Sequence, residues 1–277
     1  EYIFQFRPTR YVFVKTLKKL WRLLKIKKVF EKKVGKLPTN LKIKFYPHHE
    51  AHAASAFYPS GFSDAAFLTI DARGEYHSSL WGIVDYIRGV QKKGSIYHPN
   101  SLGCIWGVIS EYCGFTPGWQ RAGVTMGFAA LGKPKYVKEL KKVIKFFPEK
   151  DKNWLSVNKD YFRITDCMGQ VKKKFEKLIG APSAKPGKYL QVHCDVAASW
   201  QKYTEEIIIG KLKEIYKKTK KNRLVMAGGV CLNSVTNGLI LEKTPFQKVF
   251  IQPASHDGGV AVGAAYLLQQ EVNGRSR

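Results

Sequence analysis

The chain lacks any run of about eighteen uncharged apolar residues, which excludes a transmembrane helix. Its first residues, Glu1-Tyr2-Ile3-Phe4-Gln5, carry no charged n-region followed by an apolar core, so no secretory signal is read there. A cytoplasmic location is expected by default. No initiating Met is present, and the chain is expected to begin inside a longer protein. Cysteine is sparse: the five thiols, Cys104, Cys113, Cys167, Cys194 and Cys231, form no CxxC pair and no zinc-finger spacing. Scattered thiols of this kind are usually small buried hydrophobes. Acidic residues are scarce too, with 21 Asp and Glu against 47 Lys and Arg, for a formal charge of +26. Such an excess attracts nucleic acid, anionic membranes or phosphate-bearing substrates. Arg, which bidentate phosphate and base recognition favours, is rare in the lysine runs. A plain lysine bias on solvated helix faces therefore ranks first, with phosphate attraction behind it and no membrane partner expected.

What is present suits one large domain or two lobes. Hydrophobic residues make up 44% of 277 and aromatics 13%, enough for a substantial core. Residues 13 to 36 read as a basic amphipathic helix, with Leu17, Leu20, Trp21 and Leu24 on one face. Leu41 to Phe45 alternates apolar residues with lysine, as a half-buried strand does. A small-residue helix is expected from His48 to Phe57, broken by Pro59-Ser60-Gly61. Ala65 to Ile70 has the continuous apolar character of a buried strand, followed by a hairpin partner near Leu80 to Val84. Leu102–Tyr112, Gly127–Leu131 and Val196–Lys218 read as helical, while Leu224–Ala227 and Lys248–Ile251 read as strands. Strands alternating with helices give an α/β class. No internal repeat or low-complexity linker interrupts the chain.

Four motifs carry chemistry. His48 and His52, one helical turn apart, project from one face and can reach a single cation; His49 with His52 is a poorer alternative. Ala227-Gly228-Gly229-Val230-Cys231-Leu232-Asn233 places paired glycines after a strand, where backbone can approach a phosphate. It is neither a Walker A nor a GxGxxG sequence. Pro253-Ala254-Ser255-His256-Asp257-Gly258-Gly259 repeats the arrangement with a carboxylate that could serve a metal. Asp71, with Gly74 and Glu75, puts two carboxylates at a turn that either could simply cap. Each motif is ambiguous alone. Together they describe a metal–nucleotide cleft.

In order and wording these motifs resemble the NodU/CmcH-type O-carbamoyltransferase family, whose nucleotide domain is similar to the tRNA threonylcarbamoyl-transfer proteins. The matching stretches are His48-His49, Ser55 to Phe62, Leu68 to Asp71 with Gly74-Glu75, Asn100 to Gly103, Met126 to Ala129, Gly132 to Tyr136, His193 to Ser199, Ala227 to Asn233, and Gln252 to Ala254 with Asp257. They cover roughly residues 45 to 266. The resemblance implies a two-lobed actin/Hsp70/sugar-kinase-like (ASKHA) α/β fold, incomplete at the N-terminal lobe. Its lobes would be about 1–190 and 191–277, and a C-terminal adenylate-forming (YrdC-like) domain would be absent.

The implied activity passes a carbamoyl group from carbamoyl-adenylate, made from carbamoyl phosphate and ATP, to a hydroxyl of a small-molecule acceptor. By the same resemblance His48, His52 and Asp257 would hold a divalent metal, with iron expected. Gly228, Gly229, Asn233 and Gly258 would bind the nucleotide, and Asp71, Glu75 and His52 would be catalytic. The sequence departs from the family where Ala122 and Val124 replace a Glu and a Lys, and where Ala72 replaces a Gly. The chain alone is thus expected to be inactive without its parent protein. The alternatives are a tRNA threonylcarbamoyl-transfer relative and a degenerate domain that binds a nucleotide or partner without catalysis.

Overall fold

The computed structural model describes residues 25–165 and 168–273. They fall into two units that divide between Lys44 and Phe45. In the first, the described residues form the helix α1 (Ile26–Val34), which has no buried residue. The rest of the basic helix expected over 13–36, including Leu17, Leu20, Trp21 and Leu24, lies outside the described residues. Leu41 to Phe45 does not form the expected strand, and Phe45 is 62% exposed. Among the described residues no strand pairs with this segment, and alternation alone cannot hold a strand without a neighbour to complete its ladder.

The second unit runs in order through α2 (His48–Phe57), β1 (Asp64–Ile70), β2 (His77–Asp85), β3 (Gly89–Tyr97), α3 (Leu102–Tyr112), α4 (Ala122–Ala129) and α5 (Val137–Val143). Two small hairpins follow, β4 (Ile144–Phe146) with β5 (Leu155–Val157) and β6 (Phe162–Thr165) with β7 (Met168–Val171). Then come α6 (Lys173–Ile179), α7 (Gln191–Thr219), β8 (Arg223–Ala227), α8 (Ser234–Gly238), α9 (Ile240–Lys243), β9 (Lys248–Ile251) and α10 (Gly258–Val272).

The fold is mixed α/β around one five-stranded sheet of order β3-β2-β1-β8-β9. The β1–β2 and β2–β3 pairs are antiparallel, whereas β1–β8 and β8–β9 are parallel. Strands from both sides of residue 190 share this sheet. Successive side chains of β1 point to opposite faces, which explains its unbroken apolar sequence. Ala65 and Phe67 pack with Ala53, Ala56 and Phe57 of α2, while Leu68 and Ile70 join Ile105 and Ile109 of α3 and Ile207 and Ile208 of α7. Among the described residues no helix is long and apolar enough to cross a membrane.

Two consequences of this topology position the site. The parallel strands β1, β8 and β9 all end at the same sheet edge, so the segments after them, beginning at Asp71, Gly228 and Gln252, emerge side by side. In open α/β sheets that edge is where ligands bind. Second, α2 is built of small residues, with Ala51, Ala53, Ala54 and Ser55 all buried. That lets α10 approach so closely that a Cβ on Gly263 would lie 1.8 Å from the Ala51 carbonyl oxygen.

Candidate metal and nucleotide site

His48 and His52 leave α2 on one face and meet Asp71, just beyond β1, and Asp257, at the start of α10. The four side chains each offer one ligand atom, all within 4.8 Å of one another. Asp71 Oδ2 is 3.0 Å from His52 Nε2 and 3.7 Å from His48 Nε2. Asp257 Oδ1 lies 3.5 Å from His48 Nε2 and 3.8 Å from His52 Nε2. His52 is fully buried, whereas Asp257 is 76% exposed, so the cluster opens to solvent on that one side.

The electrostatics are those of crowded ligands. Burial alone would raise the Asp71 carboxyl, but the neighbouring His48 imidazole and the hydrogen bond to His52 outweigh it and hold the group well below the usual carboxylate range. Burial and then the Asp71 charge push Asp257 upward. For His48, burial pulls the imidazole down, yet Asp71, Asp257 and Glu75 together hold it above its ordinary value. Two carboxylates and two imidazoles within this span suit a divalent first-row cation, because imidazole and carboxylate both ligate such ions. The fit is supported by His48 Nε2 itself, which is buried and has no hydrogen-bond partner. A nitrogen so placed is available to ligate a cation.

His49, the alternative partner for His52, faces elsewhere. Its Nδ1 is 2.9 Å from Thr69 Oγ1 and its Nε2 is 3.1 Å from the His77 carbonyl oxygen. Burial, with His48 and His52 behind it, pushes it down to about 3. It pins α2 to the sheet as a neutral imidazole and so fixes which way its neighbours point. Glu75 accepts from the His48 amide with both carboxylate oxygens, at 3.0 and 3.2 Å. It thereby satisfies an otherwise orphaned donor at the start of α2.

The glycines fall where backbone is closest. Gly228 has φ of 99° and would place a Cβ 2.2 Å from the Ile70 carbonyl oxygen, so only glycine fits. Gly229 borders the cluster, since its Cβ would lie 3.3 Å from Asp71 Oδ1. The Gly228 amide donates to Ser255 O at 2.8 Å, tying the β8 turn to the segment that carries Asp257. Gly258 adjoins Asp257, and its amide donates to His256 Nδ1 at 3.0 Å. Asn233 stands apart from the cluster: its Oδ1 accepts from the Thr236 amide at 3.1 Å and its Nδ2 donates to Gln201 Oε1 at 2.8 Å.

Other motif stretches buttress the site. Ser101 donates to the Ala72 carbonyl at 2.7 Å, and Gly103 packs against the Ala72 amide, so the start of α3 clamps the Asp71 turn. Asp195 accepts from the Lys133 amide at 2.8 Å and pairs with Lys135 at 2.7 Å, locking the loop after α4 onto α7.

Protein sll1178 of Synechocystis is 36% identical over 223 residues, which is 80% of this chain and 35% of that protein. Nodulation protein NolO of Bradyrhizobium diazoefficiens is 34% identical over 230 residues, 81% of this chain and 38% of that one. The chain thus spans about a third of the length of these relatives. Among solved structures, T. kodakarensis HypF aligns at 13% identity with a TM-score of 0.45, over 91% of this chain and 39% of that one. The model of the carbamoyltransferase N-terminus matches residues 9–266, nearly the whole sequence, and the chain belongs to that family.

Proposed function

We propose that this chain forms the metal- and nucleotide-binding part of an O-carbamoyltransferase, which moves a carbamoyl group from carbamoyl-adenylate to a hydroxyl of a small acceptor. The observation that carries this reading is the meeting of His48, His52, Asp71 and Asp257 at the carboxyl edge of parallel strands, beside Gly229. The fold is read as the larger part of a two-lobed actin/Hsp70/sugar-kinase-like domain, supported by the mixed sheet with helices on both faces. Carbamoyl-adenylate would be made from carbamoyl phosphate and ATP by an adenylate-forming domain of a longer parent protein, without which the chain does not turn over.

His48, His52 and Asp71 would hold a divalent cation from the buried side and Asp257 from the solvent side, with iron the metal expected from the family resemblance. When bound, the cation supplies positive charge to the carbamoyl carbonyl and the departing phosphate. Asp71, kept ionised, is a weak base and serves the cation rather than proton transfer. Glu75 holds the start of α2. Gly228, Gly229 and Gly258 leave room for the adenylate phosphate at the strand ends, and Asn233 shapes the segment behind them by capping α8. The acceptor oxygen bonds to the carbamoyl carbon, the bond to the adenylate phosphate breaks, AMP leaves, and the hydroxyl proton passes to solvent on the open Asp257 side.

The test measures metal content and binding of an AMP analogue, for the purified chain and for His52→Ala. About one metal ion per chain in the parent and little in the variant is the expected result. Equal metal in the two samples would sink the proposed site. Metal and nucleotide binding without carbamoyl transfer in a full-length parent would instead identify a binding-only domain.

A further inference from the structure

At the opposite sheet edge, where Asp64, Arg223 and Lys248 open β1, β8 and β9, two adjoining grooves meet at Lys220. One, of about 570 Å³, is lined by Lys213, Lys217, Lys220 and Lys243 against a single carboxylate, Glu242, together with Tyr216 and Pro245. The other, of about 450 Å³, contains Lys220, Lys248 and the Asp64 cluster. Asp64 is already taken by Lys221 and Arg223. Lys213, Lys220, Lys243 and Lys248 have no carboxylate partner among the described residues, which leaves four free ammonium groups along one open, shallow surface. Lys220 also holds φ of 54°, a left-handed helix cap that glycine usually fills. A lysine kept there, at the junction of two grooves, adds charge where local backbone preference favours none.

We propose that this surface binds the phosphate backbone of nucleic acid without reading its sequence. Lys213 and Lys217, the latter 4.0 Å from Glu214, stand one turn apart on α7, about 6 Å along its axis, and Lys220 caps the helix just beyond, so the ammonium groups are spaced to meet successive phosphates. Lysine supplies point charges rather than the forked donors that read bases. Tyr216, seated edge-to-face on Phe246 at 5.5 Å, adds a fixed aromatic ring of the kind that stacks on a base. The grooves contain no Trp, and their one Arg, Arg223, is paired with Asp64, so the aromatic and Arg anchors that a protein partner favours are scarce here. The C-terminal dipole of α7 repels anions, so binding rests on the lysines and must be salt-sensitive. With β1 seven residues long, this edge lies roughly 20 Å from Asp71, and the inference is independent of the carbamoyl-transfer reading.

The experiment is fluorescence anisotropy of the full chain with a 20-nucleotide single-stranded RNA and a DNA duplex of unrelated sequence. With four lysines engaged, affinity should fall roughly 50- to 150-fold between 50 and 200 mM salt. The triple variant Lys213→Gln, Lys220→Gly, Lys243→Gln should flatten that dependence by about 2 to 2.7 in log–log slope. Its Lys220→Gly change relaxes the left-handed cap, so folding is spared. A control triple, Lys93→Gln, Lys145→Gln and Lys159→Gln, should leave binding within twofold. Equal losses in the two triples would mean diffuse charge attraction and overturn the proposal. Tighter binding of a poly-glutamate peptide than of RNA would overturn it in favour of an acidic protein partner.

Discussion

The contact between α10 and α2 sets the distance between Asp257 and the two histidines, and Gly263→Ala tests it. A Cβ at residue 263 would lie 1.8 Å from the Ala51 carbonyl oxygen, whereas unstrained contacts need about 3.5 Å. The helices must therefore separate by roughly 1.5 Å along that line, since backbone cannot rotate away as a flexible side chain would. Overpacking of this kind costs about 2 kcal/mol, which in a domain of this size lowers Tm by roughly 4–8 °C. Asp257 begins the same helix, six residues earlier, so its 3.5 and 3.8 Å approaches to His48 and His52 lengthen. Metal affinity should then drop about 10- to 100-fold, the usual result of disturbing support around a ligand set. Calorimetry gives the first number and competition with a chromophoric chelator the second. Gly127→Ala is the control, because nothing lies within 4 Å of its Cβ in α4; it should gain about 0.5–1 kcal/mol. A Gly263→Ala protein with Tm within about 1 °C of the parent and unchanged metal affinity would refute the reasoning.

Two further outcomes follow from other buried groups. Lys211 is fully buried between Trp81 and Trp154 and donates to the Pro148 and Lys150 carbonyls at 3.1 and 2.8 Å. Burial, then Lys218, pulls it down to about 8 from an unfolded value of 10.5. Between those values the unfolded chain binds more protons, so this residue makes stability rise with pH across about pH 8 to 10.5. The Tm of the parent minus that of Lys211→Met should therefore climb from pH 7.5 to pH 10, and a flat difference would contradict the assignment. Glu75→Ala removes the acceptor for the His48 amide and should cost about 1 kcal/mol, with weaker metal binding; Glu75→Gln, which keeps one acceptor oxygen, should recover most of both.

Much of this architecture is legible in sequence where local pattern and tertiary demand coincide. His48–Phe57, Leu102–Tyr112 and Lys248–Ile251 form where apolar spacing and breakers place them. β3 escapes notice because its middle, Gln91-Lys92-Lys93-Gly94, is polar; it is an edge strand that pairs through backbone while its lysines reach solvent. The short hairpins β4–β5 and β6–β7 offer too few residues for any period to register. Of the site, the histidine pair and Asp257 stand out by residue type and glycine context. That Asp71 joins them depends on β1 and β8 being parallel neighbours, a long-range pairing that no local pattern contains. The roles of Glu75, on the His48 amide, and of His49, against Thr69, depend likewise on how α2 lies over the sheet.

The central claim is that two imidazoles one turn apart on α2 ligate one ion together with Asp71 and Asp257. Pulsed EPR of the chain loaded with Mn(II), with histidine labelled by 15N, tests it most directly. The account predicts coupling to two imidazole nitrogens, reduced to one in His48→Ala or His52→Ala. A spectrum without histidine coupling, or one that neither substitution changes, would contradict it.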